Sequence, residues 1–336
     1  MIRNPIIAGM NYTKKKSAVL YHYPCPDGTF AALAAHLYFS ATSSPVVFFP
    51  NTVYSPIKAD QLPLQEIGDV YLLDFVGPSG FVTDLSSKVD NVIILDHHKT
   101  ALETLGGETS LSENITKVLD MERSGATIAY DYFKQKLSEE SKTRYESVLA
   151  EFERMRKIFE YIEDADLWKW RLEKSKAFSS GLKDQKLEFD FQKNPSVFRQ
   201  LLSLDLDSVI NQGIISLNHK QKLITEALEK SYAINLGGGE FGCCLAVNAD
   251  EALSELRSEL GNQLAFKSQE RNLRGVGAIV YRVPELGNDQ MLKISLRSVK
   301  SEDTTPISEK YGGGGHRNAS SFLLKLADFE AWKINI

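Results

Sequence analysis

Short apolar runs alternate with helix-like segments in the first part of the chain. Four of these runs have strand length: residues 18–22, 46–49, 69–75 and 91–96. Residues 29–39, between the first two runs, read as a helix rich in Ala and Leu. Continuous apolar strands separated by helices are typical of a buried parallel sheet. Because ligands of open parallel sheets bind beyond the carboxyl ends of the strands, we expect Asp74 and Asp96 at the functional edge.

The rest of the chain reads as helices followed by a second mixed unit. Helical spacing predicts helices at residues 124–137 and 141–161, and the polar stretch 174–232 also keeps a mostly helical pattern. The second unit has a helix at 249–264 and four candidate strands: 241–247, 277–283, 291–296 and 321–324. We expect the second and third of these strands to form a hairpin around the Gly287-Asn288-Asp289 turn.

The fold class that these patterns predict is α/β, divided into three parts. They are an N-terminal parallel-sheet domain at residues 1–178, a helical connector at 179–232, and a smaller α/β domain at 233–336. A length of 336 residues agrees with more than one hydrophobic core.

Composition narrows the classes of function. The net charge is -5, so a general electrostatic grip on long nucleic acid is not supported, and any anion must be bound locally. The three cysteines, Cys25, Cys243 and Cys244, predict no disulfide framework and a reducing compartment. No apolar run approaches the ~20 residues that span a bilayer, so we expect no membrane.

The start of the chain is basic, with Arg3 and Lys14 among its charges and no acid before residue 17. We interpret this segment as a frayed arm and expect a cytoplasmic protein. An organellar transit peptide is the alternative.

Imidazoles, carboxylates and a thiol cluster in four short segments, each placed at the end of an apolar or helical element. The residues are His22, Cys25 and Asp27; Asp74; Asp96, His97 and His98; and Glu163, Asp164 and Asp166. Carboxylates and neutral imidazoles together are the ligands of divalent cations such as Mn, Fe, Zn or Co. Two such ions can clamp a phosphoryl oxygen and acidify water, as phosphodiester cleavage requires.

Each segment also has an ordinary structural interpretation. Asp27 could cap the helix that follows it, Asp74 could be a turn residue, and Asp164 and Asp166 could be solvated helix-end acids. Asp96-His97-His98 is hardest to explain in this way, because three adjacent titratable groups after a buried strand are costly without partners.

The ordered set resembles the DHH phosphoesterase superfamily, which takes its name from the motif seen here at Asp96-His97-His98. The superfamily includes RecJ-like exonucleases, nanoRNA and pAp phosphatases, cyclic-dinucleotide phosphodiesterases, family II pyrophosphatases and exopolyphosphatases. The segment Ser295-Leu-Arg297-Ser298 and the turn 312–316, which ends at His316, resemble the signature of the superfamily's associated C-terminal substrate domain. The resemblance extends from residue 18 to residue 322.

The resemblance implies a role for each matched residue. The implied metal ligands are His22, Cys25, Asp27, Asp74, His97 and Asp164, with Asp166 as the alternative to Asp164. His98 is implied to act beside the reacting phosphate, with Asp96 as its catalytic companion. The implied substrate-binding residues are Arg297, Ser298, Gly313, Gly314, Gly315 and His316. The active site is expected in the cleft between the two domains, and the cofactors are expected to be two divalent ions, Mn first, with Mg, Co, Zn and Fe as alternatives.

Cys25 departs from the superfamily's pattern, in which two aspartates are separated by one residue. Cys25 stands where the first aspartate is expected. A thiolate binds Zn or Fe(II) better than it binds Mn or Mg. Cys25 is therefore either a ligand that shifts the metal preference or a small buried apolar residue.

Three further side chains have two interpretations. Arg123, before the helix that begins near Ser124, could help to hold a phosphate at a helix N-terminus or could belong to an ordinary cap. Trp168 and Trp170 could stack on a base, but we favour core packing against the last metal loop.

The resemblance predicts a two-metal phosphoesterase that acts on short single-stranded oligonucleotides or small nucleotides, of the 3′-5′ exonuclease or pAp-phosphatase type. A phosphoanhydride hydrolase of the pyrophosphatase or exopolyphosphatase type is the second hypothesis. A nucleotide-binding sensor without catalysis is the third, since Cys25 departs from the motif. The oligomeric state, monomer or homodimer, stays open.

Overall fold

The structure is a computed structural model that describes residues 15–52, 54–106 and 112–334. It forms two compact units, residues 1–214 and 215–336. Most of the basic N-terminal arm, on which the organellar alternative depends, lies outside the described residues. Across the part that is described, no helix is both long enough and apolar enough to cross a bilayer.

The first unit is built on a five-stranded sheet whose neighbouring strands all pair in parallel. Its strands are β1 (Lys16–Tyr23), β2 (Val46–Thr52), β3 (Ile67–Leu73), β4 (Asn91–Asp96) and β5 (Ile115–Leu119). The prediction of a parallel sheet is confirmed, and the first four strands are those that the apolar runs predict. The sequence pattern did not predict β5, an edge strand in which three of the five residues are exposed.

Helices cover this sheet and extend beyond it. They are α1 (Pro26–Thr42), α2 (Phe81–Ser86), α3 (Lys99–Gly106), α4 (Gly125–Ser141), α5 (Glu146–Asp166), α6 (Ser175–Asp184), α7 (Val197–Leu202) and α8 (Leu206–Glu229). Alternate residues of the central strands, such as Leu20, Leu72 and Ile94, share one core with Phe81 and Leu85 of α2. Helix α1 is buried almost all round, which explains its Ala-rich sequence.

The strand order β2-β1-β3-β4-β5 fixes the position of the site. The chain leaves β1 to one side for β2 and then returns to the other side for β3, so the order reverses between β1 and β3. Ligands of open α/β sheets bind at such a switch point, beyond the carboxyl ends of the strands. His22 lies near the carboxyl end of β1, Asp74 follows β3, and Asp96 ends β4. The topology therefore brings these three residues to one edge.

The second unit is a smaller mixed sheet with helices. Its elements are β6 (Tyr232–Asn235), β7 (Cys243–Asn248), α9 (Arg257–Glu270), β8 (Val276–Tyr281), β9 (Met291–Ser298), α10 (Thr305–Lys310), β10 (Gly314–His316), β11 (Ala319–Lys325) and α11 (Leu326–Glu330). The strand order is β10-β11-β9-β8-β7-β6, and the antiparallel pairing of β8 with β9 confirms the predicted hairpin. The predicted helix at 249–264 is a 3₁₀ turn, Glu251–Leu256, followed by α9.

Helix α8 crosses the boundary between the units. Its first part packs so closely on α6 that a Cβ atom at Gly181 would overlap the Val209 carbonyl oxygen. Its last part contributes Ile224 and Ala227 to a core of the second unit. The boundary between the units, at residues 214 and 215, falls within α8, inside the stretch 179–232 that we expected to be a helical connector.

Candidate metal centre

Asp74 is central to the polar cluster at the sheet edge. Its side chain is 1% exposed and its backbone is left-handed, with φ at 65°. His22 Nδ1 lies 3.1 Å from Asp74 Oδ2, and His97 Nε2 lies 3.2 Å from Asp74 Oδ1. Burial raises the pKa of Asp74, but hydrogen bonds with His22 and His97 outweigh burial and lower the pKa to about 2. Asp74 is therefore the carboxylate that two imidazoles share.

Asp27 is held by the N-terminus of a distant helix. Its Oδ2 accepts a hydrogen bond from the Gly125 N–H at 2.8 Å, and its Oδ1 accepts one from the Ala126 N–H at 3.0 Å. These are unpaired donors at the positive end of α4, so they stabilise a carboxylate there. Burial and the negative charges of Asp74 and Asp166 nevertheless raise the pKa of Asp27 well above its usual value. Asp27 is thus a cap, but of α4 and not of the helix that follows it in sequence.

Gly125 allows α4 to approach this cluster. A Cβ atom at residue 125 would lie 2.7 Å from Asp74 Cβ and 2.8 Å from Asp74 Oδ1, closer than real Cβ atoms come to other heavy atoms. At the same helix start, Glu163 Oε2 accepts hydrogen bonds from the Ser124 N–H, at 3.1 Å, and from the Thr127 hydroxyl group. The sequence pattern includes Glu163 among the candidate ligands but does not predict this contact with the start of α4, and it does not single out Gly125.

Asp96 orders the two histidines that follow it. Its Oδ1 accepts the N–H groups of His97, at 2.7 Å, and His98, at 3.2 Å, and lies 2.8 Å from His98 Nδ1. The hydrogen bond with Asp96 raises the pKa of His98 to about 9, against burial and with help from the charge of Asp74. The His98 side chain is 42% exposed. Asp96 therefore holds a largely protonated, accessible imidazole.

Cys25 lies with His22 and Asp74, and one ligand atom of each is within 4.8 Å of the others. Burial raises the pKa of the Cys25 thiol to about 12, and the charges of Asp74 and Asp27 add to the effect. A thiol in this setting becomes a thiolate only when a cation compensates its charge. The position fits the interpretation of Cys25 as a ligand.

The two candidate acids at the end of α5 have different surroundings. Asp166 Oδ2 lies 3.5 Å from His97 Nε2, whereas both Asp164 oxygens accept backbone N–H groups, from Arg171 at 2.9 Å and Leu172 at 3.2 Å. Asp164 is 5% exposed and fixes the loop after the helix. The structure thus brings Asp166 to His97 and uses both Asp164 oxygens to hold the loop, which favours the alternative candidate, Asp166, over Asp164.

Three overlapping groups of ligand atoms result. They are Asp74 with Asp96, His97 and His98; His22 with Cys25 and Asp74; and Asp27 with His97 and Asp166. In each group, the atoms lie within 4.8 Å of one another. Asp74 and His97 each belong to two groups, as residues between neighbouring cations would.

The cluster has the properties of a cation site. Asp96 Oδ2 is buried without a hydrogen-bond donor in the described structure. Burial and the charge of Asp74 raise the pKa of Asp166, although His97 opposes them, so the carboxylates repel one another. Divalent ions would supply both the missing partner and the missing positive charge. Mixed oxygen, imidazole and thiol donors fit Mn, Fe or Zn.

In the second unit, the predicted substrate-binding residues do not form one group. His316 on β10 pairs with Ala319 on β11, which pairs with Arg297 on β9, so Arg297 and His316 lie in one row across the sheet. Ser298 is next to Arg297 on the strand and so points to the opposite face. Its hydroxyl accepts a hydrogen bond from Asn318 at 2.9 Å, and its side chain is 9% exposed. Ser298 therefore lies apart from Arg297 and His316.

At two of the three glycines predicted to bind substrate, packing within the sheet leaves no room for a side chain. A Cβ at Gly313 would overlap the Ser321 carbonyl oxygen, and one at Gly315 would lie 2.5 Å from the Ala319 carbonyl oxygen. A Cβ at Gly314 would meet nothing within 4 Å. Gly314 is thus the position of this turn that packing within the unit does not require to be glycine.

Arg123 and Trp168 also differ in their surroundings. The Arg123 guanidinium donates to the Thr127 carbonyl oxygen and pairs with Asp131, both at 2.8 Å, which favours the ordinary structural interpretation. Trp168 is 78% exposed and left-handed, with φ at 51°. The favoured expectation that Trp168 packs in the core is wrong, because the loop fixed by Asp164 directs its side chain outward.

No protein-family model matches the chain. Among curated proteins, the chain is similar to uncharacterized protein R106 of Acanthamoeba polyphaga mimivirus, at 25% identity over 312 residues. The match covers 90% of this chain and 66% of the viral protein, so the chain spans just under two thirds of that relative's length.

Two solved structures are similar in outline. Exonuclease RecJ bound to manganese matches with a TM-score of 0.43 and 11% identity, over 94% of this chain and 88% of that one. The pGpG-specific phosphodiesterase PggH of Vibrio cholerae matches with a TM-score of 0.41 and 10% identity, over 94% of each chain. These TM-scores are low, so the fold is assigned from the strand order and pairing of the chain itself. In its motifs, and in the α/β architecture that brings them together, the chain is similar to the DHH phosphoesterase superfamily.

Proposed function

We propose that this chain is a metal-dependent hydrolase of phosphodiester bonds in short oligonucleotides or small nucleotides. The observation that carries the proposal is the convergence of three overlapping ligand groups, two of which share Asp74 and two of which share His97. A purely structural cluster would leave several carboxylates close together without compensating charge, which is costly in a buried setting.

Residues from several elements of the first unit would hold the cations. His22, Cys25 and Asp27 come from β1 and the start of α1, Asp74 follows β3, and His97 and Asp166 complete the set. When bound, divalent cations supply charge neutralisation for phosphoryl oxygens and lower the pKa of water.

His98 would act on the substrate directly. The hydrogen bond of its Nδ1 with Asp96 fixes the ring and leaves Nε2 as the second donor of a protonated imidazole. A donor placed in this way stabilises the charge that develops on phosphoryl oxygens. Asp96 contributes by orienting His98 and by raising the pKa of its imidazole.

The second unit carries cations that bear on the second hypothesis. A phosphoanhydride hydrolase needs several free cations, and Arg297, Lys300, Lys310 and Arg317 are the candidates near the glycine-rich turn. Lys310 pairs with Glu240, Arg317 donates to the Glu302 carbonyl oxygen, and Arg297 donates to Ser258 Oγ at 2.8 Å. Of these contacts, only the Lys310–Glu240 ion pair neutralises a charge, because the partners of Arg317 and Arg297 are neutral oxygen atoms. A phosphoanhydride substrate therefore stays the second hypothesis.

The test is a comparison of substrates with the purified chain and Mn²⁺. We expect hydrolysis of a dinucleotide, pAp or a short single strand, and little release of phosphate from pyrophosphate. Asp74→Asn should lose several orders of magnitude in rate together with bound metal, measured by elemental analysis. Asp69→Asn, at the far end of the same strand, is the matched control.

Each other result decides between hypotheses. Cleavage of pyrophosphate alone would replace the proposal by a phosphoanhydride hydrolase. Tight nucleotide binding without any turnover would replace it by a sensor.

A further inference from the structure

A cavity of about 410 Å³ opens beside the candidate metal centre within the first unit. One wall is formed by His22, Asp74 and His98, and the facing walls come from the segment after β2, the loop after β3 and helix α3. Small-molecule sites commonly have ~300–1,000 Å³, with a few placed polar groups on largely apolar walls. The cavity thus has room for a group attached to a phosphate at the cluster.

Asn51 places a buried, unused donor in this cavity. It is opposite His22 in the β1–β2 pairing and is 3% exposed. Its Oδ1 accepts the Ile57 N–H at 2.8 Å, which fixes the orientation of the amide. Within the residues that are described, its Nδ2 has no acceptor, and Asn51 lines the cavity. The Asn51 amide is thus held in one orientation, with its N–H donors available to an acceptor atom of a ligand in the cavity.

Most of the remaining cavity lining is apolar, with two threonine hydroxyl groups. Phe75, Val76 and Pro78 come from the loop after β3, and Pro56 comes from the segment after Asn51. Thr100 and Thr104, one turn apart on α3, add hydroxyl groups. An aromatic ring with proline faces suits a planar heterocycle, and hydroxyl groups suit a sugar. Inorganic pyrophosphate would leave these apolar surfaces uncovered.

We infer that this cavity binds the nucleoside attached to the phosphate at the metal centre, with Asn51 Nδ2 donating to an acceptor on the base and Phe75 stacking on it. The inference rests on the proposed function, since it assumes that the phosphate belongs to a nucleotide. It goes further in naming the residues that recognise the base. In this view, Asn51 and Phe75 determine which substrates bind, and they take no part in bond cleavage.

Two conservative variants test the inference. Asn51→Asp keeps the acceptor for the Ile57 N–H but replaces the free donor by an oxygen, and Phe75→Leu keeps apolar volume but removes the ring. Asn288→Asp and Phe266→Leu make the same chemical changes at exposed positions of the second unit, and Asn288 Oδ1 likewise accepts a backbone N–H, from Gln290 at 2.9 Å. Thermal melting would establish that each variant is folded.

Calorimetry would compare binding of a nucleoside 5′-monophosphate and of inorganic phosphate at fixed Mn²⁺. We expect each cavity variant to weaken nucleotide binding about tenfold, on the scale of one lost base contact, and to leave phosphate binding and both controls unchanged. With a dinucleotide substrate, KM should rise by a similar factor while kcat stays within about threefold. Should Asn51→Asp not fold, Phe75→Leu decides alone.

The outcomes separate the inference from the proposed function. If the wild-type chain cleaves dinucleotides and the cavity variants keep its KM and nucleotide affinity, the inference is wrong and the function stands. Equal weakening of nucleotide and phosphate binding would also overturn the inference, because the effect would then lie at the metal centre. If the wild-type chain cleaves no nucleotide but binds one, and the variants lose that binding, the proposed function fails and the cavity assignment stands.

Discussion

Replacement of Gly125 by alanine should damage the candidate metal centre without removing a single ligand. The added Cβ would lie 2.7 Å from Asp74 Cβ, 2.9 Å from Cγ and 2.8 Å from Oδ1. Carbon atoms in contact normally lie ~3.5–4.0 Å apart, so Asp74 or the start of α4 must move by about 1 Å. Movement of α4 would also disturb Asp27, which accepts hydrogen bonds from the N–H groups of residues 125 and 126.

The size of this effect follows from the rigidity of the site. Overpacking of a well-packed interior costs about 1–3 kcal/mol in the free energy of unfolding. A displacement of about 1 Å in a catalytic group can cost on the order of 10²-fold in rate. We therefore expect Gly125→Ala to stay folded, with a lower melting temperature, weaker metal binding and kcat/KM for a dinucleotide reduced about 10²-fold.

Three measurements on the same preparation test this prediction: thermal melting, metal content and hydrolysis. Gly68→Ala is the control, because its added Cβ would come no closer than 3.2 Å, to the Asp90 side chain, away from the cluster. A Gly125→Ala protein with wild-type metal content and more than a third of the wild-type rate would refute the reasoning. It would show that α4 can withdraw from Asp74 without consequence.

Further predictions concern single groups of the cluster. Asp166→Asn should lose bound metal with little change in melting temperature. Asp164→Asn should keep its metal and melt a few degrees lower, because it weakens charge-assisted hydrogen bonds worth about 2 kcal/mol. The reverse pattern in elemental analysis and calorimetry would restore Asp164 as the ligand. The pKa of His98 is raised from 6.5 to about 9 in the folded protein, so its stabilisation of the metal-free chain is complete below pH 6.5 and is lost as the pH rises through about 9. The fall in melting temperature over this range should therefore be smaller in His98→Gln, and equal slopes in the two proteins would contradict the assignment. Cys25→Asp should shift the metal preference from Zn towards Mn, because a carboxylate is a harder ligand than a thiolate, and competition titrations with an unchanged Zn-to-Mn ratio would exclude Cys25 from the site.

The sequence predicts the sheet well because parallel strands are buried on both faces. Their continuous apolar runs therefore stand out, and the acids that end them indicate the functional edge. The same reasoning fails for β5, which lies at the edge with mostly exposed residues and so lacks a continuous run. Burial, which makes the pattern visible, is weakest at the margin of the sheet.

The errors at the site concern which way side chains point. Asp164 and Asp166 are two residues apart on α5, so their side chains diverge by ~200° around the helix, and packing decides which one faces the cluster. Arg297 and Ser298 are adjacent on a strand and face opposite sides for the same kind of reason. Motif spacing identifies the segment that supplies a ligand. Which side of that helix or strand faces the cluster is decided by contacts with residues distant in sequence.

The dependence of Asp27 on α4 is such a contact, and it explains how the acids can coexist before any cation binds. Asp27 accepts hydrogen bonds from N–H groups that lie about a hundred residues further along the sequence. At the same helix end, Glu163 accepts a hydrogen bond from the Ser124 N–H. A helix N-terminus provides roughly half a positive charge that cannot titrate and does not move. It stabilises Asp27 only in part, because the pKa of Asp27 stays raised through burial and the neighbouring acids. The fold therefore compensates enough charge to assemble the cluster and leaves the rest to be supplied by a bound cation.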